Sequence, residues 1–168
     1  MQRRTFLTFG VVSAAVLLVA GGAAAWLEPD WQRGALSSVG REVFTAVGRA
    51  VLDQSLPTPM DAREIALKGL LSQVNALITA LPPHTQRELS QLLSLLGSAV
   101  GRRTLAGLST PWTQATVRDV QVALQGMRVS GLALRQQAYA ALHDITAAAY
   151  FSDESNWPLL GYPGPLEI

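Results

Sequence analysis

Reactive side chains are sparse in this chain, and their spacing excludes more chemistry than it permits. With no cysteine there is no disulfide, no thiolate nucleophile, no iron–sulfur ligation and no haem attachment through Cys-x-x-Cys-His. None of the 14 glycines falls in the Gly-x-Gly-x-x-Gly spacing that a dinucleotide fold needs. A metal centre wants several clustered ligands, whereas the two histidines, His84 and His143, lie far apart. His84, beside Pro83, reads as a solvated loop residue. His143, next to Asp144, reads as a surface or interface histidine rather than a base. Asp153-Glu154 reads as a solvated acidic pair at a helix end. Arg102-Arg103 could meet an acidic patch or a lipid headgroup, but an exposed helix face accounts for them. No catalytic residue, metal ligand or cofactor-binding residue emerges, so the chain itself is not expected to be an enzyme.

The chemistry that does stand out is recognition. Arg3-Arg4, one variable residue, then Phe6-Leu7 and a long uncharged run make a twin-arginine export signal, an address read by a receptor. The 20 residues from Thr8 to Leu27 carry no charge. As a helix they would span roughly 30 Å, enough to cross a bilayer. Two arginines precede the run and Glu28 and Asp30 follow it, which places the rest of the chain outside the cytoplasm, on the periplasmic side of the inner membrane. Ala23 and Ala25 supply small residues where a signal peptidase reads. Cleavage after Ala25 and retention of residues 8–27 as a membrane anchor both stay open. The twin-arginine translocase is the first expected partner.

Composition fits a small exported helical protein with company. Hydrophobic residues make up 49% and charged ones 15%, more apolar surface than an isolated soluble monomer would carry, which points to a permanent partner, a membrane or both. A net charge of +1 leaves nothing to attract nucleic acid.

The elements follow a helical period. Leu36, Val39, Val43, Val47 and Val51 form one apolar stripe, and Pro57 and Pro59 end that helix. Asp61 with Glu64 reads as a capping box before Ile65, Leu70, Leu71, Val74, Leu77, Ile78 and Leu81; Thr85 with Glu88 repeats the device before Leu89, Leu92, Leu93 and Leu96. Gly97 and Gly101 are spaced for close packing. A short segment around Leu105, a stripe from Val117 to Met127, and a last helix from about Ser130 to Phe151 complete the count. No stretch alternates with period two. The expected fold is all-α: residues 1–27 as signal or anchor, 28–151 as a five- to six-helix bundle, and 152–168 as an extended tail.

That tail holds Pro158, Pro163 and Pro165 with Gly161 and Gly164, a composition expected to keep helix out of it. Tyr150, Phe151, Trp157 and Tyr162 bring four of the chain's 11 aromatics into it or beside it. Rings this large are costly to leave in water. Either the tail folds back on its own bundle, or part of it packs on another protein.

Residues 138–142, 149–153, Trp157 and Gly161-Tyr162-Pro163-Gly164-Pro165 resemble the gluconate 2-dehydrogenase subunit 3 family, as do the twin-arginine start and the Val51–Pro57 segment. The tail motif is the specific part; the helices would suit many bundles. The resemblance implies a small, non-catalytic subunit of a membrane-associated dehydrogenase. In that family it binds a large FAD-containing subunit of the glucose–methanol–choline class, which crosses the membrane as a folded passenger, and a multihaem cytochrome c subunit often completes the assembly. It implies partner-binding roles for Tyr150, Phe151, Trp157, Gly161, Tyr162, Pro163, Gly164 and Pro165, and places FAD, and any haem c, in partner chains. The alternative is a stand-alone anchored helical protein that binds a small apolar ligand or buttresses the envelope.

Overall fold

The computed structural model describes residues 31–32 and 35–164. Arg3, Arg4, Phe6, Leu7, Ala23, Ala25, the apolar run 8–27 and Pro165 lie outside the described residues. Those described are mostly helical, as expected. Two short strands, β1 (Trp31–Gln32) and β2 (Ala35–Leu36), pair antiparallel with Trp31 opposite Leu36 and Gln32 opposite Ala35. Two residues per strand are too few to register as an alternating pattern, so no period-two signal marks them. The helices are α1 (Ser38–Val51), α2 (Met60–Thr79), α3 (Pro83–Gly97), the single turn α4 (Ala99–Gly101) running into a π-helical turn (Arg102–Ala106), α5 (Val117–Arg128) and α6 (Ala133–Phe151). A 3₁₀ helix (Glu154–Leu160) follows.

Helix α1 is the centre of the bundle, touching α2, α3, α5 and α6. Its stripe explains that position. Val43, Phe44 and Val47 are fully buried, while Arg41, Glu42 and Arg49 stay in water. Glycines let the neighbours close in: a Cβ on Gly97 would collide with the Val39 side chain of α1, and one on Gly48 would lie 2.5 Å from a Leu70 methyl of α2. A Cβ on Gly101 would strike the Leu95 carbonyl, so packing accounts for both glycines of the expected pair.

Helix ends depart from expectation in an instructive way. Neither predicted capping box forms. Helix α2 begins at Met60, after Pro59, and α3 at Pro83, after Pro82, with no side-chain cap in either case. At α3 Pro83 takes the first helical position, where its fixed φ suits the helix and its missing N–H would otherwise go unpaired; at α2 Pro59 takes the N-cap position, and each helix starts earlier than the acidic signals suggest. Glu64 instead pairs with Lys68 one turn on, at 2.8 Å, and that hydrogen bond and the lysine charge lower its pKa. His84 accordingly sits in the first turn of α3, exposed, rather than in a loop. The box that does form is Thr116 with Asp119 at the start of α5, where each side chain accepts from the other's backbone N–H. Ile65, expected in the core stripe of α2, is 69% exposed.

Arg102 is also corrected. Ser98 restarts the chain as a helix by accepting from the Gly101 N–H, and the widened π turn carries Arg102 inward, where its Nε has no partner among the described residues. Arg103, the next residue round the turn, stays exposed as expected. Orphan carbonyls at this corner are met from outside: the Trp112 indole donates to Leu96 O at 2.8 Å, and Arg135 Nε donates to Leu105 O at 2.8 Å.

Candidate docking surface

The last turn of α6 explains how the tail is held. Helix carbonyls at a C-terminus have no donors within the helix. Here Ser152 N–H donates to Ala148 O, Ser152 Oγ to Ala149 O, Asn156 Nδ2 to Tyr150 O at 2.8 Å, and Trp157 Nε1 to Phe151 O at 2.9 Å. To make the last two bonds the chain must turn back, and the tight 3₁₀ helix does this. Residues 154–160 are therefore helical, not extended. Asp153 starts the segment by accepting from Ser155 N–H, and the Ser155 hydroxyl together with that N–H lowers its carboxyl pKa. Pro158 fits because its fixed φ is close to 3₁₀ geometry. Gly161 ends it with φ of 66°, a left-handed turn that a side chain would strain.

Folding back divides the tail aromatics into two groups. Tyr150 is buried against the core, edge-on to Phe151 with centroids 5.2 Å apart, and its hydroxyl donates to Ser55 O at 2.9 Å. Burial pushes the phenol pKa up, and the Asp153 carboxylate adds to this, so the proton is kept for that bond. Trp157 is half-buried, with Gly164 against one edge of its ring. In the other group Leu159, Leu160 and Tyr162 face solvent at 56%, 59% and 46% exposure. The sequence singled out Tyr162 but missed Leu159 and Leu160, whose exposure depends on the 3₁₀ turn.

A raised phenol pKa carries a sign. The neutral phenol is favoured in the fold, so this stabilisation is full below the unfolded value near 10 and is lost as pH rises through the higher folded value. Tyr150→Phe should therefore flatten the alkaline limb of a thermal-midpoint-against-pH curve, while costing about 1 kcal/mol at neutral pH through the lost hydrogen bond.

Two depressions flank the 3₁₀ helix. One, of about 320 Å³, is lined by Glu154, Trp157, Pro158, Gly161, Tyr162 and Pro163. The other, of about 270 Å³, runs between α2 and the end of α6 and is lined by Ile65, Ala66, Gly69, Ala149, Tyr150 and Asn156, among others. Space is open above Gly69, with nothing within 4 Å of a Cβ placed there. Gly69→Ala should thus raise stability by about 0.5–1 kcal/mol through helix propensity, read as a higher urea midpoint.

The remaining candidates are not brought to either depression. His143 stacks on Tyr139 (centroids 5.3 Å) and its Nδ1 lies 2.9 Å from Asp144 Oδ1, a pair on the exposed side of α6. Among the described residues no group of three or more His, Asp or Glu stands close enough to hold a metal ion, and no helix is long and apolar enough to cross a membrane. The geometry is that of a helical bundle with a hydrogen-bonded, partly apolar end. Compared with known proteins, the chain matches no family model, no curated protein and no solved structure.

Proposed function

We propose that this chain is the non-catalytic small subunit of a periplasmic FAD-dependent alcohol or sugar dehydrogenase, serving as export escort, assembly factor and, if residues 8–27 are kept, membrane anchor. The observation that carries the reading is the capped 3₁₀ helix, which displays Leu159, Leu160 and Tyr162 on a fixed support beside an apolar groove. Exposed apolar side chains held rigidly lose little freedom on binding, so they favour a docked protein. The Tyr150–Ser55 bond adds support, because it joins two of the stretches that resemble the family, 51–57 and 149–153. In this reading the catalytic subunit folds around its flavin in the cytoplasm, docks on the end of the bundle and crosses with it. Oxidation of the substrate belongs wholly to that partner, and a cytochrome c subunit can complete the electron path.

The test is affinity purification of the tagged full chain from membranes, with an absorbance spectrum and mass spectrometry. A yellow eluate with flavin bands and a co-purifying protein of dehydrogenase size is the expected result. A colourless single-protein eluate in gentle detergent overturns the reading in favour of a stand-alone anchored helical protein. Replacing Arg3 and Arg4 by lysine should keep both chains in the cytoplasm; normal export of the partner from that variant would remove the escort role.

A further inference from the structure

We propose that the open depression bordered by Trp157, Tyr162 and Glu154 seats an arginine side chain of the docked partner. The inference rests on the docking-subunit reading above and adds the chemistry of one contact. The two rings pack on each other at an angle, with centroids 5.3 Å apart and planes inclined at 59°, and both border the depression beside them. Aromatic faces carry negative potential and attract cations. The exposed carboxylate of Glu154 lines the same cleft and joins neither ion pair found among the described residues. Its surroundings do not neutralise it along the chain. From Gln136 to Ile168 there are four acids (Asp144, Asp153, Glu154 and Glu167) and no lysine or arginine.

Both residues are held by hydrogen bonds within the chain. Trp157 is fixed by its bond to Phe151 O, and Tyr162 N–H donates to Trp157 O at 3.2 Å across the Gly161 turn. Two prolines, Pro158 and Pro163, complete the walls and add no donors of their own. Such a site takes a cation that stacks on a ring and sheds water easily. A planar guanidinium does both better than an ammonium. At about 320 Å³ the cleft has room for the guanidinium and part of its stem.

The experiment uses the full chain, ¹⁵N-labelled in mild detergent, and follows the Trp157 indole resonance, assigned with Trp157→Phe. Nα-acetyl-arginine amide is titrated against Nα-acetyl-citrulline amide, which is nearly the same shape without the charge. A saturable Trp157 shift with the arginine probe is expected, about two- to fivefold weaker with citrulline and weakened by a similar factor in Glu154→Gln. The buried Trp112 indole should stay unmoved throughout, reporting an intact fold. Equal responses to the two probes, no response, or an unchanged response in Glu154→Gln would overturn the proposal. Co-purification separates it from the reading beneath it. A flavoprotein retained equally by wild type and Glu154→Gln sinks the arginine contact alone. Arginine binding with no flavoprotein in the eluate keeps the cleft and sinks the escort role.

Discussion

Phe44→Ala should destabilise the protein by about 3–5 kcal/mol, seen as a large drop in the urea midpoint followed by far-UV circular dichroism. Phe44 is fully buried on the one helix that touches α2, α3, α5 and α6. Removing its ring leaves a void in the core that the surrounding side chains, each held by its own contacts, can fill only in part. A domain of this size has about 5–15 kcal/mol in total, so the variant sits near the edge of folding. Phe44→Leu, which keeps most of the volume, should cost less than about 1.5 kcal/mol. Similar losses for the two variants would mean that the site relaxes freely and that α1 is not the organising element.

Deleting residues 157–168 should abolish co-purification of the catalytic partner while leaving the bundle folded. The deletion removes the Trp157 bond to Phe151 O, the exposed Leu159, Leu160 and Tyr162, and the wall of the cleft. Tyr150, its bond to Ser55 and the Asn156 bond to Tyr150 O all remain. Stability should therefore fall by about 1–2 kcal/mol, from one hydrogen bond and a half-buried ring. Loss of a central aromatic anchor costs about 2 kcal/mol or more in binding, about thirtyfold in affinity. The measurement pairs a thermal midpoint with flavin recovery in the eluate. If the truncated chain unfolds, the tail is a structural cap and the docking reading loses its main support.

The helical class and the stripe of α1 were legible because burial in a bundle follows the 3.6-residue period directly. Val43 and Val47 on α1, and Val74 and Ile78 on α2, fall where that period places them. The helix starts at Met60 and Pro83 were misplaced because a capping box and a proline turn compete for the same few residues, and local sequence does not say which wins. The 3₁₀ helix was hidden for a different reason. It is held by Asn156 and Trp157 reaching carbonyls six residues back, an arrangement that exists only once the chain has reversed. Arg102 illustrates the same limit, since only the π turn decides that it and not Arg103 goes inside. Two features of the proposed docking end, Tyr162 and the Pro/Gly turn, could be picked out by composition. The exposure of Leu159 and Leu160 and the place of Glu154 beside Trp157 needed the fold.

The position of α1 also sets a timetable. It is made first of the bundle helices and shares its buried face with α6, whose last residue, Phe151, comes 100 residues after Val51. At about 5–20 residues per second, synthesis of that interval takes about 5–20 s. During this time the Val43, Phe44 and Val47 stripe has no complete set of neighbours, and the Ser55 carbonyl waits for a hydroxyl made 95 residues later. The bundle closes only when α6 is out, and the tail that caps α6 follows it directly. A nascent chain truncated or stalled before α6 would therefore present the cell with an open core instead of a smaller folded domain.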